Sequence, residues 1–144
     1  MNIPKLKIKV SLQKGDTFKI KNSTDCFNVV SKLFDKNTLY FTEEMILLAV
    51  NNNNEVYGWY RLSYGGRTGT VCDARVIFTI LLNCGACGFV LAHNHPSQNI
   101  QPSEQDIRLT KDLIKFGELI NIKLLDHLIV GANNYTSMKD EGII

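Results

Sequence analysis

Two imidazoles stand two residues apart in His93-Asn94-His95-Pro96, and a hydroxyl and a carboxylate follow a short loop later in Ser103-Glu104-Gln105-Asp106. That set is able to hold one zinc ion and a reacting water. Zinc that only braces a fold usually closes its four positions with cysteine and histidine, whereas hydrolytic zinc takes three N or O ligands and leaves the fourth for water. With a carboxylate as the third candidate donor, His93, His95 and Asp106 read as a hydrolytic site.

The same residues carry a second meaning. Ser-x-x-Asp is also a helix-start pattern, in which the serine caps the N3 amide and an acidic residue favours the helix dipole. Both roles are compatible, because a cap that fixes the helix start also aims a first-turn carboxylate. Hydrolysis further needs a general base near the water, for which a glutamate serves well. Glu43 and Glu44 open an apolar run, and only one of two neighbours on a strand faces a given side, so the residues alone leave the choice open.

These side chains need strand ends and helix starts to aim them. Phe89-Val90-Leu91-Ala92 predicts a short apolar strand leading into His93, where alternation projects His93 and His95 together and Pro96 ends the strand. Ser103 opens a helix whose apolar face is Ile107, Leu109, Leu113, Ile114, Leu119 and Ile120. Met45 to Val50 reads as a buried strand, Asn51 to Asn54 as a turn tolerant of positive φ, and Glu55 to Leu62 as the return strand. Ser63 to Gly69 is glycine-rich without the ending of a phosphate loop and reads as a flexible connection. Asp73 caps a buried helix from Ala74 to about Cys84, closed by Gly85 and Gly88. Ile122 to Val130 returns as a strand, and Tyr135 to Met138 adds an edge strand. At the other end, Leu6 to Val10 and Thr17 to Ile20 alternate around Lys14-Gly15-Asp16, predicting a hairpin or extended arm. Ser23, Thr24 or Asp25 then caps a short helix through Leu33. Strands with interspersed helices give an α+β or α/β fold with a mixed sheet.

Bulk properties narrow the function. The 144 residues suit one domain with a substantial core, and the formal charge of +2 is spread without a phosphate track, so direct nucleic-acid binding is not expected. No run approaches the about 20 apolar residues of a membrane span, and no apolar stretch of a signal peptide follows Met1, so a cytoplasmic location is expected. Cys26, Cys72, Cys84 and Cys87 are too scattered for a disulfide framework and are expected as thiols.

With these residues in view, the chain resembles the JAB/MPN (JAMM) zinc metalloprotease-fold family in its RadC-like branch. The pattern of that superfamily is a distant Glu, then His-x-His, seven residues, Ser, two residues and Asp, which His93, His95, Ser103 and Asp106 satisfy without a gap. Asn94, Pro96-Ser97, Pro102-Ser103 and Leu125 to Gly131 add features of the branch. The resemblance runs from about Glu43 to Gly142 and prefers Glu43, which puts Met45, Leu48 and Val50 at the branch's apolar positions, where Glu44 would put Asn51 at one. It implies an α+β (α/β-like), cytidine-deaminase-like architecture over residues 43–144, with residues 1–42 an extension of the same domain. It also implies Zn2+ held by His93, His95 and Asp106, Glu43 as proton shuttle and Ser103 as oxyanion stabiliser. The implied substrate is a peptide or protein, with no membrane partner and with homo-oligomer formation left open. Gln98 and Ile100 depart from the branch, which usually has glycine and proline there, so the loop over the ion differs in shape. The residues before Glu43 are too few and too strand-like for the helix-hairpin-helix region common in RadC-like proteins, which weakens any DNA-repair role.

Two functions follow from different classes: an amide or isopeptide hydrolase, or a non-catalytic interaction module on the same fold, associated with DNA processing. Other motifs favour plain readings. Cys84-Gly85-Ala86-Cys87 closes a helix, whereas a redox Cys-x-x-Cys opens one, so buried thiols are expected. His127 of Asp126-His127 is expected as a hydrogen-bonded core histidine in preference to support for a ligand, and Trp59 and Tyr60 as packing.

Overall fold

Strands covered on both faces carry unbroken apolar runs instead of alternation, and the two longest runs of this chain occupy the middle of one sheet. In the computed structural model, which describes residue 1 and residues 3–64 and 72–144, the elements are β1 (Phe18–Lys19), α1 (Ser23–Val30), β2 (Glu44–Val50), β3 (Glu55–Tyr64), α2 (Ala74–Cys84), β4 (Gly88–Asn94), α3 (Glu104–Leu119), β5 (Lys123–Val130) and β6 (Tyr135–Ser137). They build a six-stranded sheet in the order β1-β3-β2-β4-β5-β6, parallel only between β4 and β5. Every residue of β2 and β4 is buried. This is an α+β fold with a mixed sheet, as expected.

Alternation along β2 and β4 sorts side chains into two cores. Ile46, Leu48, Val50, Val90 and Ala92 pack with Cys26 and Val30 of α1, while Met45, Leu47, Ala49, Phe89 and Leu91 pack with Ile77, Phe78 and Leu81 of α2 and Leu113 of α3. The face of α2 and α3 is the one that receives His93. Helix α2 starts on Asp73, whose carboxylate accepts from Arg75 N, and stops at Gly85, which takes the left-handed conformation (φ 70°) that glycine adopts without strain. Gly117 lets α3 approach the chain entering β5, since a Cβ there would lie 2.3 Å from the Ile122 carbonyl oxygen.

Several expectations are corrected. No N-terminal hairpin forms: only Phe18 and Lys19 pair, with Val56 and Glu55, and residues 3–16 carry no strand. Alternation in that arm has no second face to bury against, and Leu6, Ile8, Val10 and Leu12 stay exposed. Helix α1 is capped by Asn22, which accepts from Asp25 N, and it ends at Val30, short of Leu33. Strand β3 continues through Tyr64, and the remainder of the glycine-rich connection lies outside the described residues. Leu119 is 82% exposed, because the spacing of Thr110, Leu113 and Gly117 sets the buried stripe of α3 and Leu119 falls off it.

Candidate metal centre

The carboxyl end of β4 and the amino end of α3 meet at His93, His95 and Asp106. His93 is fully buried on β4, in register with Met45 of β2 and Ile129 of β5. His95 lies just past the strand, where its Nδ1 donates to the Asn99 carbonyl at 2.7 Å. A turn bonding Gln98 N to His95 O at 2.8 Å, with Gln98 at φ 63°, bends the following loop back. Asp106 occupies the first turn of α3. Ser103 Oγ accepts from Asp106 N at 3.1 Å, and Asp106 Oδ2 accepts from Ser103 N and Ser103 Oγ, both at 2.7 Å. The capping box therefore forms, and it is what holds the carboxylate toward the imidazoles.

His93 Nε2 lies 3.0 Å from His95 Nε2 and 3.2 Å from Asp106 Oδ1, while His95 Nε2 lies 3.4 Å from Asp106 Oδ2. One donor atom from each of the three residues falls within 4.8 Å of the others. A carbonyl only accepts, so the proton on neutral His95 sits on Nδ1 and its Nε2 turns a lone pair inward. Electrostatics agree with positive charge at the meeting point. The hydrogen bond that charged His95 makes to Asp106 raises the His95 pKa against the opposing effect of burial, with Asn99 and the charges of Asp106 and Glu43 adding. Burial pushes the Asp106 pKa up, but the imidazoles of His93 and His95, which donate to it when they are charged, and the Ser103 hydroxyl outweigh it and hold the carboxyl far below the usual range. Two imidazole nitrogens and a carboxylate oxygen fit the open donor set of catalytic zinc.

The two glutamates part. Glu44 is 1% exposed on the α1 side, where Thr38 Oγ1 donates to its Oε1 at 3.1 Å. Arg61 Nε stands 3.1 Å from its Oε2 as a close ion pair without an aligned hydrogen bond. Glu43, half-buried, precedes β2 at the alternate position, on the side of Met45 and His93, and its charge reaches His95. Asn94, buried between the two histidines, turns the other way and holds the segment that delivers Glu43. It accepts from Glu44 N at 2.8 Å and donates to the carbonyls of Leu39 and Thr42, both at 2.9 Å.

Asp126 and His127 also part. Asp126 faces α1, accepting from Ser137 Oγ at 2.6 Å and Lys139 N at 3.2 Å. His127 is hydrogen-bonded and buried, and its partner is His93, Nε2 to Nδ1 at 2.8 Å. Its other nitrogen meets Thr110 Oγ1 at 2.7 Å. Burial, reinforced by the charge of His93, pushes the His127 pKa well below the ordinary range, so the ring is neutral. Sequence reading passed over Thr110, although it stands one helical turn after Asp106, the spacing at which helix side chains share a face. Away from the site, Cys84 and Cys87 flank the end of α2 as free thiols. Trp59 and Tyr60, expected as packing, are about half exposed, with the Arg61 guanidinium 5.8 Å from the Trp59 ring centroid.

A mixed sheet that brings His-x-His from a strand end to a first-turn aspartate defines a JAB-type domain with a potential metal centre. The RadC-like JAB domain model matches residues 20–143, and the chain belongs to that family. A UPF0758 protein of Flavobacterium johnsoniae is 40% identical over 125 residues, covering 87% of this chain and 53% of the relative. One from Porphyromonas gingivalis is 41% identical over 103 residues, covering 71% and 45%. Another, from Clostridium novyi, is 35% identical over 133 residues, covering 92% and 57%. The chain thus spans about half the length of the curated relatives it matches. Among the described residues, no helix is long and apolar enough to cross a membrane.

Proposed function

We propose that this chain is a zinc-dependent hydrolase of peptide or isopeptide amide bonds, with His93, His95 and Asp106 as ligands, Glu43 as proton shuttle and Ser103 as oxyanion donor. The observation that carries the reading is the convergence of three acceptor atoms within 4.8 Å, with the Glu43 charge felt at the same point. Zinc, when bound, supplies Lewis-acid polarisation of a carbonyl and acidification of water. The chain's own residues supply the rest. Glu43 takes a proton from water and returns it to the leaving amine, which needs a carboxylate that is held in place. Asn94 holds the segment before β2, and so the approach of Glu43. Ser103, whose hydroxyl donates to Asp106, turns that proton toward the developing oxyanion.

A second reading, a non-catalytic interaction module, draws on Gln98. Its Oε1 accepts from Ala132 N at 2.9 Å, tying the loop after His95 to the turn after β5 where the family pattern has glycine. Glu43→Gln separates the two. The hydrolase reading expects protein purified without chelators to carry stoichiometric zinc, and the variant to keep fold and metal while hydrolysis falls on the order of 10²–10⁴-fold. Profiling new amino termini in a proteome treated with wild type or variant reads the loss. Metal-free wild type, or termini produced equally by the variant, would sink the enzyme reading.

A further inference from the structure

We infer that Thr110 and His127 are positioning residues for His93: they fix which of its ring nitrogens carries the proton and keep Nε2 bare toward His95 and Asp106. The inference rests on the proposed metal site and adds how this chain prepares its least accessible ligand.

Thr110, His127 and His93 are each 0% exposed, so no bulk water offers an alternative partner. Three short contacts link them in line. Thr110 Oγ1 lies 2.6 Å from the Asp106 carbonyl oxygen and 2.7 Å from His127 Nδ1, and His127 Nε2 lies 2.8 Å from His93 Nδ1. The direction follows from the first contact. A carbonyl has only lone pairs, so the single hydroxyl proton of Thr110 lies between the two oxygens. Met138 Sδ, 3.5 Å from Oγ1, is a weaker acceptor.

With its proton committed, Thr110 Oγ1 accepts, so His127 carries its proton on Nδ1 and turns the Nε2 lone pair to His93. His93 then donates through Nδ1, and its own Nε2 is left with a lone pair facing the cluster. The reverse direction would leave two oxygens 2.6 Å apart with no proton between them, buried, a costly arrangement. Asp106 stands at both ends of the chain: its carboxylate is a donor of the cluster and its carbonyl anchors the relay. The helix turn that aims one ligand thereby sets the tautomer of another.

A purely structural hydrogen bond would not set tautomer or metal affinity, and both are measurable. Long-range ¹⁵N NMR of the metal-free protein is expected to show His93 and His127 protonated on Nδ1. Titration with Co2+, and competition with Zn2+, is expected to show affinity weakened about 10–100-fold in Thr110→Val and His127→Leu. His127→Gln, which returns an acceptor near Nε2, should recover much of the loss and restore the wild-type Co2+ absorption spectrum. Should His127→Leu not fold, Thr110→Val, which keeps shape and removes one hydroxyl, carries the affinity test. A His127 ring protonated on Nε2, or wild-type affinity in folded Thr110→Val, would overturn the inference. Failure of wild type to bind Co2+ or Zn2+ would instead overturn the metal reading, and the ¹⁵N tautomers would still decide the direction of the relay.

Discussion

Ser103 shows how one side chain joins folding to chemistry. Its Oγ accepts from Asp106 N and donates to Asp106 Oδ2, so truncation removes both the helix cap and a restraint on the carboxylate. Ser103→Ala is expected to lower stability by about 1 kcal/mol, and Ser103→Gly by only a few tenths, since glycine is tolerated at a cap. Urea denaturation of the two variants measures this difference. If the hydroxyl also serves the oxyanion, the variants lose hydrolysis equally despite unequal stability; activity that tracks stability would reduce Ser103 to a cap. The candidate donors were legible because His93, His95 and Asp106 announce themselves by spacing. The relay was legible only in part: His127 was a candidate support for a ligand, set second to a core histidine, whereas nothing about a threonine within an amphipathic helix signals a hydrogen bond to a distant imidazole, and Thr110 acquires its meaning only when α3 and β5 lie side by side.

At the scale of elements, the central strands and both long helices were readable. Unbroken apolar runs mark β2 and β4, Asp73 and Gly85 bound α2, and Ser103 opens α3. Of the hairpin and the extended arm that the N-terminal alternation allowed, the hairpin does not form, because alternation states that a strand is possible without supplying the edge it must pair with. Asn94 illustrates the same limit from inside the core: between two histidines it looks like a spacer, yet it pins residues 39–44 through three hydrogen bonds. Asn94→Ala leaves two carbonyls and one amide without that partner, and a cost on the order of 3 kcal/mol is expected from the unsatisfied groups. Asn94→Asp should do no better, since its carboxylate still accepts from Glu44 N but opposes the carbonyls of Leu39 and Thr42. Urea midpoints give the cost, and faster hydrogen exchange at Glu44 N locates it. A folded Asn94→Asp as stable as wild type would contradict the assigned directions of these bonds.

Across the whole molecule, the sheet separates two cores: Cys26 lies in the one under α1, away from the metal centre, and Cys72 packs against the one on the side of α2 and α3. Cys26, 2% exposed on the buried face of α1, has its pKa raised from 9.0 to about 12, by burial first and then by the charges of Asp126 and Asp25. Cys72 is raised to about 11, by burial and then Asp73. The folded chain thus keeps protons that the unfolded chain releases near pH 9. A group whose pKa is raised on folding contributes its full stability below the unfolded value and loses it as pH climbs through the folded one. These thiols are therefore silent at neutral pH and erode stability between about 9 and 11–12, with Cys26 approaching a limiting slope of about 1.4 kcal/mol per pH unit. Urea midpoints of chelator-treated protein at pH 7, 8, 9 and 10, under reducing conditions, should hold level in this contribution and then fall. Cys26→Ala should be less stable at pH 7, because it loses buried contacts, yet decline less steeply above pH 9. An unchanged alkaline slope in that variant would mean that Cys26 is not the source, and that the α1 face of the sheet shields charge less well than its packing implies.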